Sequence, residues 1–420
     1  MQALPEDFVL RAGHHWAKTA EKILLGNTDR ISIEGLMTAQ LLYDYALRMA
    51  NFTQAFILSA LMARMAQALQ INLEYSSDMH NTDGNGLSAT VRESRRRLMY
   101  SCYVTDVLCG SGVDQLTLIQ EKDIMIQLPC TERYFSDRQS CITRTLDGSA
   151  LTFLNPESIP SDEVLDSNMG ILAYFVQQTA LRRRVLRYIK HLDKAKLPWL
   201  LDSEFAILDG ELRRWYESLP TTLEFTQSTI YTRKGSSQLG ALCVFHCAYH
   251  QTMCDLYRIG TPSLYRLRSA FTFPPEQVEF QQRLQWALFK SARTLAAIIA
   301  QAERHGPRML SDTWLPTIAY DSNRIMLYYL AEVTRTMGAN SPIATGITRK
   351  ELVLGTIPYL QSNVKALKQM QATNVVAEGL VSVDDIETGY KSLTISSAVQ
   401  PNLCLRSWVF HRTTSCLYRM

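Results

Sequence analysis

Long apolar runs are missing from this sequence. A membrane-spanning helix needs about 20 consecutive apolar residues, and uninterrupted runs such as Ile171–Val176 and Leu295–Ala300 are far shorter. A surplus of one charge is missing too. Forty-three Lys and Arg face 40 Asp and Glu, a net charge of +3 over 420 residues, which excludes a polybasic protein that grips phosphate with its whole surface. The N-terminal MQALPEDFVLRAGHHW has no basic region followed by an apolar core, so it does not read as a secretory signal. Close cysteine pairs are also lacking: none of the nine cysteines is separated from another by two residues. Odd in number, scattered, and several of them in apolar helical patterns, the cysteines read as small reduced hydrophobes rather than a disulfide framework. No Gly-x-Ser-x-Gly elbow, His-Glu-x-x-His, phosphate loop or Gly-x-Gly-x-x-Gly is present. The acid pairs Asp162–Glu163 and Asp384–Asp385 sit in polar stretches and read as solvated turns. A non-enzyme with no cofactor is the expectation, in an intracellular globular protein.

What is present is helical periodicity, with almost no strand alternation. Phe8, Trp16, Ile23 and Leu24 sit at helical spacing, and two amphipathic stretches between Thr38 and Leu69, interrupted at Asn51–Thr53, predict a helical hairpin. Thr90 and Glu93 have capping-box spacing, so a helix is expected from there to Gly110, where Gly110-Ser111-Gly112 stops it. Residues 81–88 read as a loop. Helices are expected at 166–191, 203–218, 238–257, 275–305, 311–337 and 348–370, the last opened by a capping box of Thr348 and Glu351. Residues 116–128 change to short apolar pairs ending at Pro129, an extended segment or small strand pair. The fold class is therefore all-α: a large helical domain over residues 5–380 of stacked, paired helices, with a minor extended segment near 116–128. Residues 130–165, rich in Ser, Thr, Asp and Pro, give a soft internal boundary, and 391–420 an irregular tail.

Cys243, His246, Cys247, His250 and Cys254 share one helical face, where ligands four residues apart can share a metal. A tetrahedral site needs ligands from a further element, and Leu239 shares the face, so a core helix with buried thiols and satisfied histidines is preferred and no metal is expected. Leu181–Lys196 carries a cationic stripe, Arg183, Arg187, Lys190 and Lys194, nearly opposite the apolar stripe Leu181, Val185, Tyr188 and Leu192. A solvated outer face is the preferred reading, with contact to phosphate or an acidic partner the alternative. Asp106 lies on an apolar helix about 15 Å from Arg96 at 1.5 Å rise per residue. It therefore needs a partner from another element, with an arginine of a neighbouring helix as the candidate.

The segment RRRLMYSCYVTDVLCGSG, followed by LIQEKDIMIQLP, resembles the middle regulatory domain of fungal-specific zinc-cluster transcription factors. Arg95, Arg96, Arg97, Cys102, Tyr103, Asp106, Asp123, Leu128 and Pro129 carry the match. Arg64, Met65 and Ala66 in the paired helices before it also fit, as do Tyr249, His250, Cys254, Asp255, Leu256, Tyr257 and Arg258 later. The chain departs from the pattern at Met99 and Tyr100 in place of the aromatic pair, at Val107, and at Asp114, Gln115 and Leu116 in place of a Gly-Arg-Pro turn. The resemblance covers approximately residues 5–380 and implies a nuclear regulator of transcription, with a metabolic gene cluster as one target class. Its partners would be transcriptional co-regulators or a DNA-binding partner, with a small-molecule effector of unspecified chemistry. The binuclear zinc cluster of that family needs six cysteines in close pairs, and here the first cysteine is Cys102. Met1 falls near the start of the regulatory domain, so no specific DNA binding is expected of this chain alone. A helical scaffold or ligand-binding protein acting through protein partners is the alternative function.

Overall fold

The computed structural model of the chain describes residues 8–75, 87–151, 154, 157, 159–265, 267–336 and 348–381. Among the described residues there are fifteen α-helices and no β-strand, so the all-α expectation holds. They are α1 (Phe8–Arg11), α2 (His14–Gly26), α3 (Ile33–Arg48), α4 (Phe52–Ala68), α5 (Ala89–Gly110), α6 (Glu132–Ser136), α7 (Asp162–Asn168), α8 (Ile171–Lys190), α9 (Glu204–Glu217), α10 (Gln227–Gly235), α11 (Leu239–Tyr257), α12 (Val278–Arg304), α13 (Leu315–Thr336), α14 (Arg349–Met370) and α15 (Val375–Val381). Two compact units emerge, one of Arg11–Lys190 with Gly210–Thr229, the other of His191–Asp209 with Ile230 onward. The anticipated boundary at 130–165 lies inside the first unit, and the tail at 391–420 lies outside the described residues, as do most of the loop at 81–88 and Asp384–Asp385.

In the first unit, α3 and α4 form the expected hairpin. Ser32 caps α3 by accepting from the Gly35 amide (3.0 Å), and Asn51 caps α4 by accepting from the Gln54 amide (3.3 Å). Between the helices Ala50 adopts φ 56°, and the Asn51 amide closes back on the Ala46 carbonyl at 2.8 Å. Helix α5 starts one residue before the Thr90 cap that sequence favoured. Ser88 is its cap, accepting from the Val91 amide at 3.3 Å, and Glu93 is drawn into a buried ion cluster. Helix α5 ends where the glycines predict. Ser111 and Gly112 have φ 47° and 82°, and a Cβ on Gly112 would lie 2.4 Å from the Leu186 carbonyl carbon, so α8 packs directly on this turn.

Two predicted elements change. The helix expected over 166–191 is divided into α7 and α8 at Gly170. That residue donates its amide to the Pro129 carbonyl (3.1 Å), and a Cβ there would sit 2.4 Å from the Cys130 oxygen. The segment near 116–128 is extended as expected but forms no strand pair; it carries two 3-10 turns, Asp114–Leu116 and Glu121–Asp123. Its bridges are isolated: Leu73 with Met125 and Gln127 with Thr145. The segment thus lacks a ladder of its own, and its backbone groups must find partners elsewhere.

The second unit is packed helix on helix. Helices α11, α12, α13 and α14 bury Leu242, Phe245, Leu288, Leu295, Leu330 and Leu367, each no more than 2% exposed. Phe289 stacks on Tyr329 at 4.5 Å. The capping box of Thr348 and Glu351 opens α14 as predicted. Helices α10 and α15 were not anticipated.

Candidate functional site

Helix α5 presents Glu93, Arg97, Tyr100, Tyr103 and Asp106 three or four residues apart, hence along one side. The extended segment 117–130 runs along that side in the opposite direction. Asp106 accepts from the amides of Leu118 (2.9 Å) and Ile119 (2.8 Å). Tyr103 donates to Glu121 (2.7 Å), and Tyr100 donates to the Ile126 carbonyl (3.1 Å). Glu93 accepts from the Cys130 amide (3.0 Å), and Arg97 donates to the Cys130 carbonyl (3.0 Å). Where helix and segment meet, a Cβ on Gly110 would lie 2.5 Å from the Thr117 hydroxyl. This side-chain ladder replaces the missing sheet.

At its far end lies a cluster of ions. Arg96, 5% exposed, donates to Glu74 (2.6 Å) and Glu93 (3.5 Å), while Arg97 donates to Glu93 (2.9 Å) and Glu132 (2.6 Å) and lies 4.4 Å over the Phe135 ring. Glu74 also accepts from the Gln127 amide (2.9 Å). Burial opposes the charge on Arg96, and Glu74 with Glu93 more than restores it, so the guanidinium stands above its ordinary value. For Asp106 the balance is reversed. Burial raises its carboxyl pKa, and the Ile119 and Leu118 amides offset only part of that. The expected arginine partner is thus replaced by backbone amides, with Arg183 and Arg64 acting at longer range. Burial likewise pushes the Cys102 thiol up to about 12. Arg95 is half-exposed and takes no part in the ladder, and Asp123 is exposed, contributing its carbonyl to Asn72 (2.7 Å). Pro129 is buried. Beside the ladder a cleft of about 320 Å³ is lined by Gln67, Gln70, Asn72, Met99, Asp123 and Ile124.

The cationic stripe is largely engaged within the chain. Arg183 pairs with Glu121 (3.2 Å) and Arg187 with Asp114 (3.2 Å). Lys190 ends α8 half-buried, and Lys194 is exposed in the turn beyond it. In the second unit, Arg258 pairs with Asp255 (3.0 Å) and lies over the Tyr265 ring. Cys243, His246, Cys247, His250 and Cys254 all stand on α11. Burial lowers the His250 imidazole to about 3 and raises Cys243 to about 12, so both are neutral at pH 7. Among the described residues no three His, Cys, Asp or Glu side chains are grouped to hold a metal ion. The ladder partners Glu74, Tyr100 and Glu121 were missed by sequence reasoning. Glu74 carried a signal, a single acid following the apolar Ile71 and Leu73.

Comparison with known proteins bears on the same region. Residues 13–176 match the fungal specific transcription factor domain, a span that holds every rung of the ladder. A transcriptional regulatory protein of Schizosaccharomyces pombe is 32% identical over 254 residues, 59% of this chain and 26% of the relative. A Zn(2)-C6 fungal-type transcription factor of Fusarium oxysporum f. sp. lycopersici is 25% identical over 302 residues, 70% of this chain and 31% of the relative. A second S. pombe transcriptional regulatory protein is 24% identical over 366 residues, 84% of this chain and 44% of the relative. The chain thus spans less than half the length of these relatives. No solved structure matches. Sequence motif, helical architecture and relatives point the same way: residues 13–176 are similar to the fungal specific transcription factor domain, and the relatives matched are named as transcriptional regulators.

Proposed function

We propose that the chain is the regulatory body of a fungal transcription regulator, acting in the nucleus through transcriptional co-regulators or a DNA-binding partner rather than by catalysis. The observation that carries this reading is the coincidence of the matched domain, residues 13–176, with the unit that holds the ladder. Among the described residues, Arg96, Arg97, Arg183 and Arg187 are each engaged in an ion pair within the chain, which favours a structural use of these cations over phosphate contact. The 320 Å³ cleft is where a small polar effector would bind, since its carboxamides and Asp123 offer donors and acceptors.

The reading is tested by fusing the chain to a heterologous DNA-binding domain and measuring a reporter gene in a fungal host. The fused chain is expected to change reporter output relative to the DNA-binding domain alone. Arg97→Ala should weaken that change, whereas Lys194→Ala should preserve it. Unaltered output would sink the regulatory role. Tight, sequence-specific DNA binding by the unfused chain would sink the assignment of DNA recognition to a partner.

A further inference from the structure

Cys130 and Cys141 are brought together by two antiparallel stretches of the first unit. The Leu128 amide donates to the Arg144 carbonyl (2.7 Å), and the Thr143 hydroxyl donates to the Leu128 carbonyl (2.5 Å). The Thr143 amide donates to the Gln127 side chain (2.7 Å), and Gln127 bridges to Thr145. Held this way, the Cys130 thiol is in hydrogen-bond contact with the Cys141 sulfur, and both cysteines are reduced. Their surroundings are unequal. Cys130 is 3% exposed, with its amide bound to Glu93 and its thiol within reach of the same carboxylate. Cys141 is half-buried, so a small solute can reach it. The hydrogen bond from Cys130 and the positive charge of Arg96 both favour the Cys141 thiolate, against an opposing effect of burial, and its pKa is lowered. No such help reaches Cys243 or Cys247, and at Cys102 burial outweighs a backbone hydrogen bond, so all three thiols are driven upward.

We propose that Cys141 and Cys130 are a peroxide-reactive thiol pair that a hydroperoxide converts into an intramolecular disulfide. In the first step the Cys141 sulfur attacks the outer peroxide oxygen. The S–O bond forms, the O–O bond breaks, and the departing alkoxide or hydroxide takes a proton, leaving Cys141 as a sulfenic acid and releasing an alcohol or water. In the second step the Cys130 sulfur attacks the Cys141 sulfur. The S–S bond forms, the S–O bond breaks, and the Cys130 proton passes by way of Glu93 to the leaving hydroxide, releasing water. Two thiols are oxidised and one peroxide is reduced. Cys141 is the attacking thiol because it is the accessible one, and Cys130 resolves it because it is already in contact. The bond formed would tie both ends of residues 130–141 together beside Arg97 and Glu132.

The test treats the full reduced chain, under native conditions, with hydrogen peroxide. Remaining thiols are then alkylated in denaturant and the digest is mapped by mass spectrometry. Trypsin can cut at Arg133 and Arg138, which separates the two cysteines. Expected are a Cys130–Cys141 linked peptide, a fall from nine free thiols to seven, and full reversal by dithiothreitol. In Cys130→Ala, Cys141 should instead accumulate as a sulfenic acid captured by dimedone. Cys141→Ser should remove the fast phase of thiol loss, and Cys243→Ser should leave it unchanged. The proposal is overturned if peroxide leaves all nine thiols intact, oxidises another cysteine first, or links either sulfur to a third cysteine. Should Cys130→Ala fail to fold, the wild-type map alone still decides.

Discussion

The two compact units hold themselves together by different means. In the first, an extended segment with almost no backbone ladder is fixed by carboxylates, arginines and tyrosines of α5, and its stability is concentrated in a few polar groups. In the second, α11 to α14 hold together by burying apolar side chains, with neutral bonds among them, Ser322 donating to the Ala292 carbonyl (2.7 Å) and Asn363 to Ser322 (2.9 Å), beside ion pairs such as Lys365–Glu303 (2.8 Å). A polar ladder fixes register and orientation but fails abruptly when one partner is lost. An apolar bundle loses stability in proportion to the volume removed.

The largest expected effect is at Arg96. Replacing it with Ala leaves Glu74 and Glu93 buried without their common partner, and should cost about 3–5 kcal/mol in urea unfolding. Leu295→Ala in the bundle should cost about 2–5 kcal/mol through the cavity it leaves. The contrast between the units predicts that only the arginine variant changes its cost with pH and salt, and equal dependence in both would break it.

Next comes Asp106→Ala, which strands the Leu118 and Ile119 amides and should cost about 1–3 kcal/mol. Asp106→Asn should cost less because its carbonyl oxygen still accepts. The pH dependence sharpens this. Burial raises the folded-state pKa of Asp106 above that of the unfolded chain, so folding takes up a proton between the two values and the contribution falls as pH rises through the folded value. Glu303 in the second unit is the reverse case. A hydrogen bond from Lys365 (2.8 Å) holds its pKa below the usual carboxylate range, so its contribution is present above the unfolded pKa and is lost as pH falls through the folded one. Thermal melts from about pH 3 to 7, spanning the ordinary carboxylate range, should show opposite changes of slope in Asp106→Asn and Glu303→Gln. The smallest effect is a gain. Ala50 occupies the left-handed region, which costs a non-glycine residue about 1 kcal/mol, so Ala50→Gly should raise stability by about 0.5–1 kcal/mol.

Much of the helical layout was legible because it depends on local periodicity and capping. Helix α11 and the Thr348–Glu351 box fall where spacing places them. The errors arise where distant residues override local preference. Ser88 and Thr90 are both competent caps, and the choice goes to Ser88 in a helix whose Glu93 is claimed by Arg96, Arg97 and the Cys130 amide. Gly170 divides a periodic stretch because the chain at Cys130 passes too close for a side chain. The motif from Arg95 to Asp106 was visible as a pattern, but its meaning was not. The partners of Asp106 are backbone amides, which leave no mark on side-chain composition. Arg183 and Arg187 read as a free stripe because their acids, Glu121 and Asp114, lie more than 60 residues away in the chain. Helices α10 and α15 are only nine and seven residues long, too short for a clear apolar period.

The ladder also makes the region unusually easy to observe. The amides of Leu118, Ile119, Gln127 and Cys130 sit in chain that belongs to no helix or sheet, and such amides ordinarily exchange with solvent deuterium quickly. Here each is held by a single identifiable carboxylate: Asp106 for the first two, Glu74 for Gln127, Glu93 for Cys130. Each carboxylate therefore carries its own isotopic reporter, and any ligand or partner that loosens one rung will be recorded at a known amide while the others stay protected.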